Sequence, residues 1–198
     1  TPQDTQWKDY NLHDILTEQD LVERPQPMDP VPYMSNGSRS HSGRPSILYS
    51  DVWVLQERKS GGALYNTNFF WTLVAPEHNS PRPMGRFDAA SFLDQDRGEL
   101  YVFGGRSFNR SFNDLWHFDL VRRRWEELTP ARGDRPRPRH GAAIASLARG
   151  SGLMGTLIMS FGREIDPSKK KTDPSRNKLF REIWTFSAVS QWKRLDYD

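Results

Sequence analysis

From about Ser50 onward the chain reads as short apolar runs separated by clusters of Gly, Pro, Asn and Asp, the pattern of many short strands joined by turns. Arg86–Leu93 (RFDAASFL) gives way to a turn at Asp94–Gly98, and Glu99–Phe103 (ELYVF) then ends on Gly104-Gly105. Asp114–Leu120 (DLWHFDL) puts Trp116, Phe118 and Leu120 on one face by the period-two rule of a strand. Arg124–Leu128 (RWEEL) completes a set of four strands. The set then recurs. Arg139–Leu147, Gly155–Phe161, Glu182–Phe186 and Gln191–Leu195 follow in the same order, with Trp184 in the third strand and Trp192 in the fourth. An earlier, partial copy is visible in Asp51–Leu55 (DVWVL) and Phe70–Val74 (FWTLV).

A repeat of four strands with apolar residues on both faces has a physical consequence. One such sheet cannot bury itself. Stacking the sheets radially buries both faces and protects the edges. The large aromatics suit this packing, because Trp and Phe fill the wedge between neighbouring sheets. The tryptophans are therefore read as core rather than as ligand-stacking platforms.

Residues 1–50 differ in texture. Pro25, Pro27, Pro30 and Pro32 forbid a continuous helix or a central strand. Leu12, Ile15 and Leu16 lie near helical spacing, so a short turn of helix is an alternative near Leu12–Val22. The segment is expected to be an extended, proline-rich arm. Gln6–Tyr10 around Trp7 could add a stray strand, and Pro32–Gly37 could be a decayed glycine turn. Residues 51–198 hold the repeats.

These residues resemble kelch repeats. The middle copy carries the resemblance: Tyr101-Val102-Phe103-Gly104-Gly105, then Asn113-Asp114-Leu115-Trp116, then Phe118 with Trp125 after six intervening residues. Pro136–Gly141 resembles the opening of the next repeat, and Pro81–Arg86 is a looser version. The last copy departs from the pattern. It reads Ser160-Phe161-Gly162-Arg163, with Arg163 expected where the second glycine should stand, and only five residues separate Phe186 from Trp192. The resemblance implies an all-β fold of kelch-type β-propeller blades, each of four antiparallel strands, and Gly105 at a positive φ. Closed propellers have about 4–8 blades, whereas about three are visible. An incomplete propeller or a segment of one is therefore expected, because three blades leave two exposed edges; the start at Thr1-Pro2 rather than Met reads as either a processed mature form or a fragment. Its outer blades, at Trp53 and Trp184, are expected to expose apolar faces.

Composition narrows the chemistry. The 198 residues include no cysteine, which removes disulfides, thiolate metal sites, cysteine nucleophiles and the cysteine–tyrosine cofactor of the copper-oxidase kelch propellers. No apolar stretch reaches about 18 residues, so no membrane helix is expected. His13, His41, His78, His117 and His140 form no metal-ligand spacing. Asp94–Glu99 faintly resembles a calcium loop but lacks its ligand series, and is read as a hairpin turn. No phosphate-binding glycine loop or nucleophile elbow occurs. No cofactor, metal or catalytic residue is expected. The sequons at Asn36 and Asn109 give a slight preference for a secretory or lumenal route over the cytoplasm.

Twenty-eight Lys and Arg stand against 25 Asp and Glu, a net charge of +3. The excess clusters at Arg122–Arg124, Arg135/Arg137/Arg139 and Lys169–Lys171. In a propeller the loops between second and third strands share one end with the inter-blade stretches. Those loops carry Arg106, Phe108, Arg110, Phe112, Arg135, Arg137, Arg163, Lys169, Lys170 and Lys171. Aromatics beside arginines on loops are the makings of a protein-binding surface. Ordinary solvation, with Phe108 or Phe112 tucked against a blade, is the plain alternative. The expected function is a non-catalytic interaction scaffold, engaged with another polypeptide or with the rest of the same propeller. A sugar-binding or enzymatic propeller and a nucleic-acid binder using the basic loops are the alternatives.

Overall fold

Among the residues that the computed structural model describes, eleven strands and no α-helix form from these alternating runs. It describes residues 48–59, 67–77, 80–95, 97–108, 110–129, 133–147, 156–166, 168–170, 172–187 and 191–195. The expected arm, with its Leu12–Val22 turn, Trp7 strand and Asn36-Gly37 turn, lies almost wholly outside them.

β1 (Val52–Lys59) and β2 (Thr67–Val74) make a hairpin, the outer half of a first blade. β3 (Ala90–Asp94), β4 (Glu99–Phe103), β5 (Leu115–Asp119) and β6 (Arg124–Glu127) form a complete four-stranded antiparallel blade. A second complete blade contains β7 (His140–Ser146), β8 (Leu157–Ile165), β10 (Ile183–Ser187) and β11 (Gln191–Leu195). β9 (Asn177–Leu179) pairs with the far end of β8. The insertion inferred between Leu55 and Trp71 lengthens the first hairpin, whose strands run on to Lys59 and back from Thr67. The residue missing between Phe186 and Trp192 comes out of the turn. Phe186 faces Trp192 across the hairpin just as Phe118 faces Trp125.

Two apolar clusters hold the blades together. Val52, Val54 and Val74 of the first blade pack on Leu100, Val102, Trp116, Phe118, Leu120 and Trp125 of the next. Phe92, Tyr101, Phe103, Leu115 and Leu128 from the other face of that blade pack on Leu157, Met159, Trp184, Phe186 and Trp192. Phe103 and Trp192 meet edge-on at 5.1 Å between ring centres. Fully burying a side chain such as Phe118 is worth about 1.5–3 kcal/mol, so these clusters dominate the cohesion between blades.

Of the two tryptophans expected to mark exposed apolar faces on the outer blades, only Trp53 is exposed. Trp184 is buried, because the third strand's tryptophan points toward the preceding blade and that blade is present. By register the opposite face of the last blade carries Ile158, Ile183 and Leu195 among Ala143, Ala145, Ser160, Thr185 and Lys193, with Leu195 exposed. Trp53 has no such cover among the described residues and is 45% exposed.

The double glycine turns the chain out of β4 with Gly104 at φ 62° and Gly105 at φ 86°, as the sequence implied for Gly105. A Cβ on Gly105 would come within 2.9 Å of the Ala89 Cβ and 3.0 Å of the Phe87 carbonyl oxygen. The register expected for the last blade needs correction. Phe161 (φ 62°) and Gly162 (φ 93°) stand where Gly104 and Gly105 stand, so phenylalanine replaces the first glycine and Arg163 lies beyond the turn. The hydrogen bonds prove the match: the Phe112 amide donates to the Gly105 carbonyl, and the Phe180 amide donates to that of Gly162.

An arginine locks each of these turns. The Arg86 guanidinium donates to the Gly104 carbonyl at 2.7 Å and to both Asp114 carboxylate oxygens at 2.6 and 2.7 Å. It lies 4.4 Å from the centre of the Phe112 ring, a cation–π distance. Arg139 repeats the device. It donates to the Phe161 carbonyl at 2.9 Å, approaches Glu182 at 3.4 Å and sits 4.1 Å over Phe180. Burial alone would raise the Asp114 carboxyl. The Arg86 hydrogen bonds and charge, with the Trp116 indole donating at 2.7 Å, outweigh it and hold the group below its usual range. Arg86 and Arg139, which the sequence pattern places at the starts of strands, lie just ahead of β3 and β7 and act as bolts.

Removing one partner of a buried bidentate pair leaves the other charge stranded, at a cost of about 3 kcal/mol. Arg86→Met is therefore expected to lose about that much stability in urea unfolding. Adding Asp114→Leu to the same chain should recover part of the loss. An unchanged midpoint in Arg86→Met would contradict the clamp.

Candidate interaction surface

The end of the blades that carries the glycine turns also carries the lead-ins to the next blade, because backbone bonds tie them together. The Gly105 amide donates to the Arg139 carbonyl at 2.9 Å, and the Arg139 amide donates to that of Phe112 at 2.8 Å. The Asn113 side-chain amide donates to the Pro136 carbonyl at 3.3 Å. This end is the loop face expected to bind.

The predicted residues divide on that face. Phe112 is buried between the guanidinium groups of Arg86 and Arg110, at 4.4 and 4.9 Å. Phe108 leans on Phe87, with ring centres 5.8 Å apart. Arg106 stacks 4.3 Å over Phe87 and pairs with Asp88 at 2.9 Å. Arg110 contacts the Met84 sulfur at 2.9 Å. Arg135 and Arg137 are exposed. Lys169 donates through Nζ to the Ser175 hydroxyl at 2.7 Å, and Lys170 is exposed. Lys171 and the sequon residues Asn36 and Asn109 lie outside the described residues. Of the motif residues, Gly104 and Gly105 make the turn, and Trp116, Trp125, Trp184 and Trp192 are core.

His140 joins the two complete blades beneath this face. Its Nε2 lies 3.0 Å from Arg163 Nε, and its Nδ1 lies 3.1 Å from the Ser111 hydroxyl. A guanidinium can only donate, so Nε2 accepts and the proton sits on Nδ1, donating to Ser111. Burial, then the charges of Arg106 and Arg163, push its pKa down to about 4, with Asp88 opposing. Both nitrogens of the neutral ring are thus committed to hydrogen bonds, one of them charge-assisted from Arg163, which suits a structural bridge. His117 stacks on Tyr101 at 5.2 Å and lies 3.7 Å from Glu99. The Asp94–Glu99 segment is a hairpin turn in which Asp94 accepts from the Arg97 amide at 3.3 Å. Among the described residues no three His, Asp or Glu side chains converge as metal ligands.

Beside His140 opens a groove of about 570 Å³ lined by Phe161, Gly162, Arg163, Leu179, Phe180 and Arg181. Phe161 and Leu179 are 58% and 73% exposed on it. Of these residues only Arg163 was singled out from sequence. Phe161 was hidden by the slip of one residue in the glycine turn. Leu179 lies on a three-residue strand with every residue exposed, which leaves no alternation to read.

Residues 40–197 match the family model described as KLHDC2/KLHL20/DRC7 Kelch-repeats domain. Kelch domain-containing protein 3 from Bos taurus and from Homo sapiens is 42% identical over 82 residues, 40% of this chain and 19% of the relative. Multiple epidermal growth factor-like domains protein 8 from Mus musculus is 25% identical over 124 residues, 61% of this chain and 4% of the relative. The chain therefore spans less than a fifth of the curated relatives it matches. The solved structure of YjhT covers 75% of this chain, and 46% of its own, at 17% identity and a TM-score of 0.49.

The depressed pKa of His140 fixes a sign. The unfolded chain takes up the proton near pH 6.5 and the folded chain only near 4, so this contribution to stability is complete above about 6.5 and is lost as pH falls toward 4. Denaturant midpoints should fall across that window, and His140→Gln should flatten the fall. An unaltered pH profile in the variant would show that His140 is not the group responsible.

Proposed function

The chain belongs to the kelch-repeat family, and on that footing we propose that it is a non-catalytic protein-interaction scaffold that works in contact with another polypeptide. One observation carries this reading. Trp53, Leu55 and Trp71 of the first blade are 45%, 51% and 63% exposed. Their counterparts Trp116, Phe118 and Trp125, and Trp184, Phe186 and Trp192, are all at most 8% exposed, because a preceding blade covers them. Strand register makes the equivalence firm. Leu55 pairs with Trp71 as Phe118 pairs with Trp125 and Phe186 with Trp192.

Phe69, 64% exposed, extends the same face. Large contiguous apolar faces of this kind are rare on free soluble proteins and mark interfaces. A neighbouring polypeptide that packs there as a blade would recover the burial seen twice elsewhere in the chain. The commitment of both His140 nitrogens to hydrogen bonds supports the non-catalytic half of the reading.

The purified chain is expected to run above its monomer mass in light scattering, or to bind a hydrophobe-sensitive dye. Trp53→Ser combined with Trp71→Ser should lower either signal and shift thermal stability by less than about 1 kcal/mol, as exposed positions do. A wild-type monomer with a cooperative melt and no dye binding would overturn the proposal.

A further inference from the structure

The two complete blades differ most in the loop between their second and third strands. In one, Gly105 to Asp114 is a tight turn closed by the Arg106 bridges to Phe87 and Ser111. In the other, β8 runs on past the glycine turn to Ile165 and pairs with β9, so a two-stranded ribbon with an exposed return strand extends this loop. From Arg163 to Arg181 this insertion carries seven Lys and Arg against three Asp and Glu, an excess of four over a chain whose whole net charge is +3. Two of its acids are engaged locally. Asp166 accepts from the Ser168 amide and hydroxyl, and Asp173 does the same with Ser175.

An apolar strip runs at the base of this ribbon. Phe161 holds a left-handed backbone that its sister position gives to glycine, and a bulky residue there is strained. Its side chain is nonetheless exposed, so core packing does not explain it. Leu179 stands across the same groove, more exposed still, with Arg163 and Arg181 beside it.

The geometry points to a docking strip for an acidic segment of a partner polypeptide, with its apolar side chains laid on Phe161 and Leu179 and its carboxylates met by the cationic ribbon. Charge complementarity selects the acid. The strip itself selects peptide over nucleic acid. Base stacking needs free aromatic faces, but the Phe180 ring already carries Arg139 at 4.1 Å and Lys178 at 5.7 Å. That leaves one exposed ring beside an aliphatic leucine. This inference rests on the protein-interaction reading but concerns a different surface from the Trp53 face.

The test is fluorescence anisotropy with a labelled synthetic peptide of alternating Glu and Leu. An alternating Lys–Leu peptide, an all-Glu peptide and a single-stranded oligouridylate serve as comparators. The wild-type chain should bind the Glu–Leu peptide best. Phe161→Gly restores the sister residue and should melt no lower than wild type, yet weaken binding at least tenfold, as should Leu179→Ser. Absence of Glu–Leu binding, equal binding by both variants, or tighter binding of the oligouridylate would overturn the strip. An intact Trp53-dependent association alongside any of these results would leave the scaffold reading standing and remove only this site.

Discussion

Each blade presents large apolar side chains on both faces of one sheet, so no blade can be buried except between two neighbours. That constraint organises the rest of the molecule. It puts Val52, Val54 and Val74 against Trp116 and Trp125, and Phe103 and Leu115 against Trp184 and Trp192. It also leaves Trp53, Leu55 and Trp71 with a burial requirement that nothing in the described residues meets. Fold and proposed function meet at this point: the sheet face that no preceding blade covers is the face proposed to bind.

The arginine clamps add a second layer to the same arrangement. Stacking sheets face to face fixes their spacing but leaves the loop ends free to fray. A guanidinium under each glycine turn ties the lead-in, the turn and the head of the third strand into one unit. The two clamps are not equal. Asp114 holds Arg86 through both oxygens and also receives the Trp116 indole. Glu182 meets Arg139 at 3.4 Å, and the Trp184 indole nitrogen is buried without a partner. Because the Arg139 side chain is fully buried, desolvation pushes its pKa below the usual arginine range, with Glu182 opposing. The blade with the looser clamp is also the one whose turn carries Phe161 and whose loop grows into the ribbon.

The blades were legible in the sequence because burial on alternate residues leaves a period-two trace, plain in Trp116 and Phe118 and repeated in Trp184 and Phe186. The Gly104-Gly105 turn was legible because only glycine takes two successive positive φ values without strain. What escaped notice did so for physical reasons. Arg86 and Arg139 look like solvated strand ends, since nothing local announces a carboxylate that arrives 28 or 43 residues later. Phe161 takes a left-handed position that double-glycine turns give to glycine, so the sequence pattern places this turn one residue late. Of the loop residues chosen for binding, Phe112 is spent on packing under Arg86, while Arg163 lies beside the groove. Composition located the basic loops, but not which of them extends into a ribbon.

Tryptophans at equivalent strand positions differ only in whether a preceding blade covers them. Hydroxyl-radical footprinting read by mass spectrometry tests it residue by residue. In the isolated chain Trp53 and Trp71 should label rapidly while Trp116, Trp125, Trp184 and Trp192 stay protected. Equal labelling at all six positions, or protection of Trp53 and Trp71 in a monomer, would contradict it.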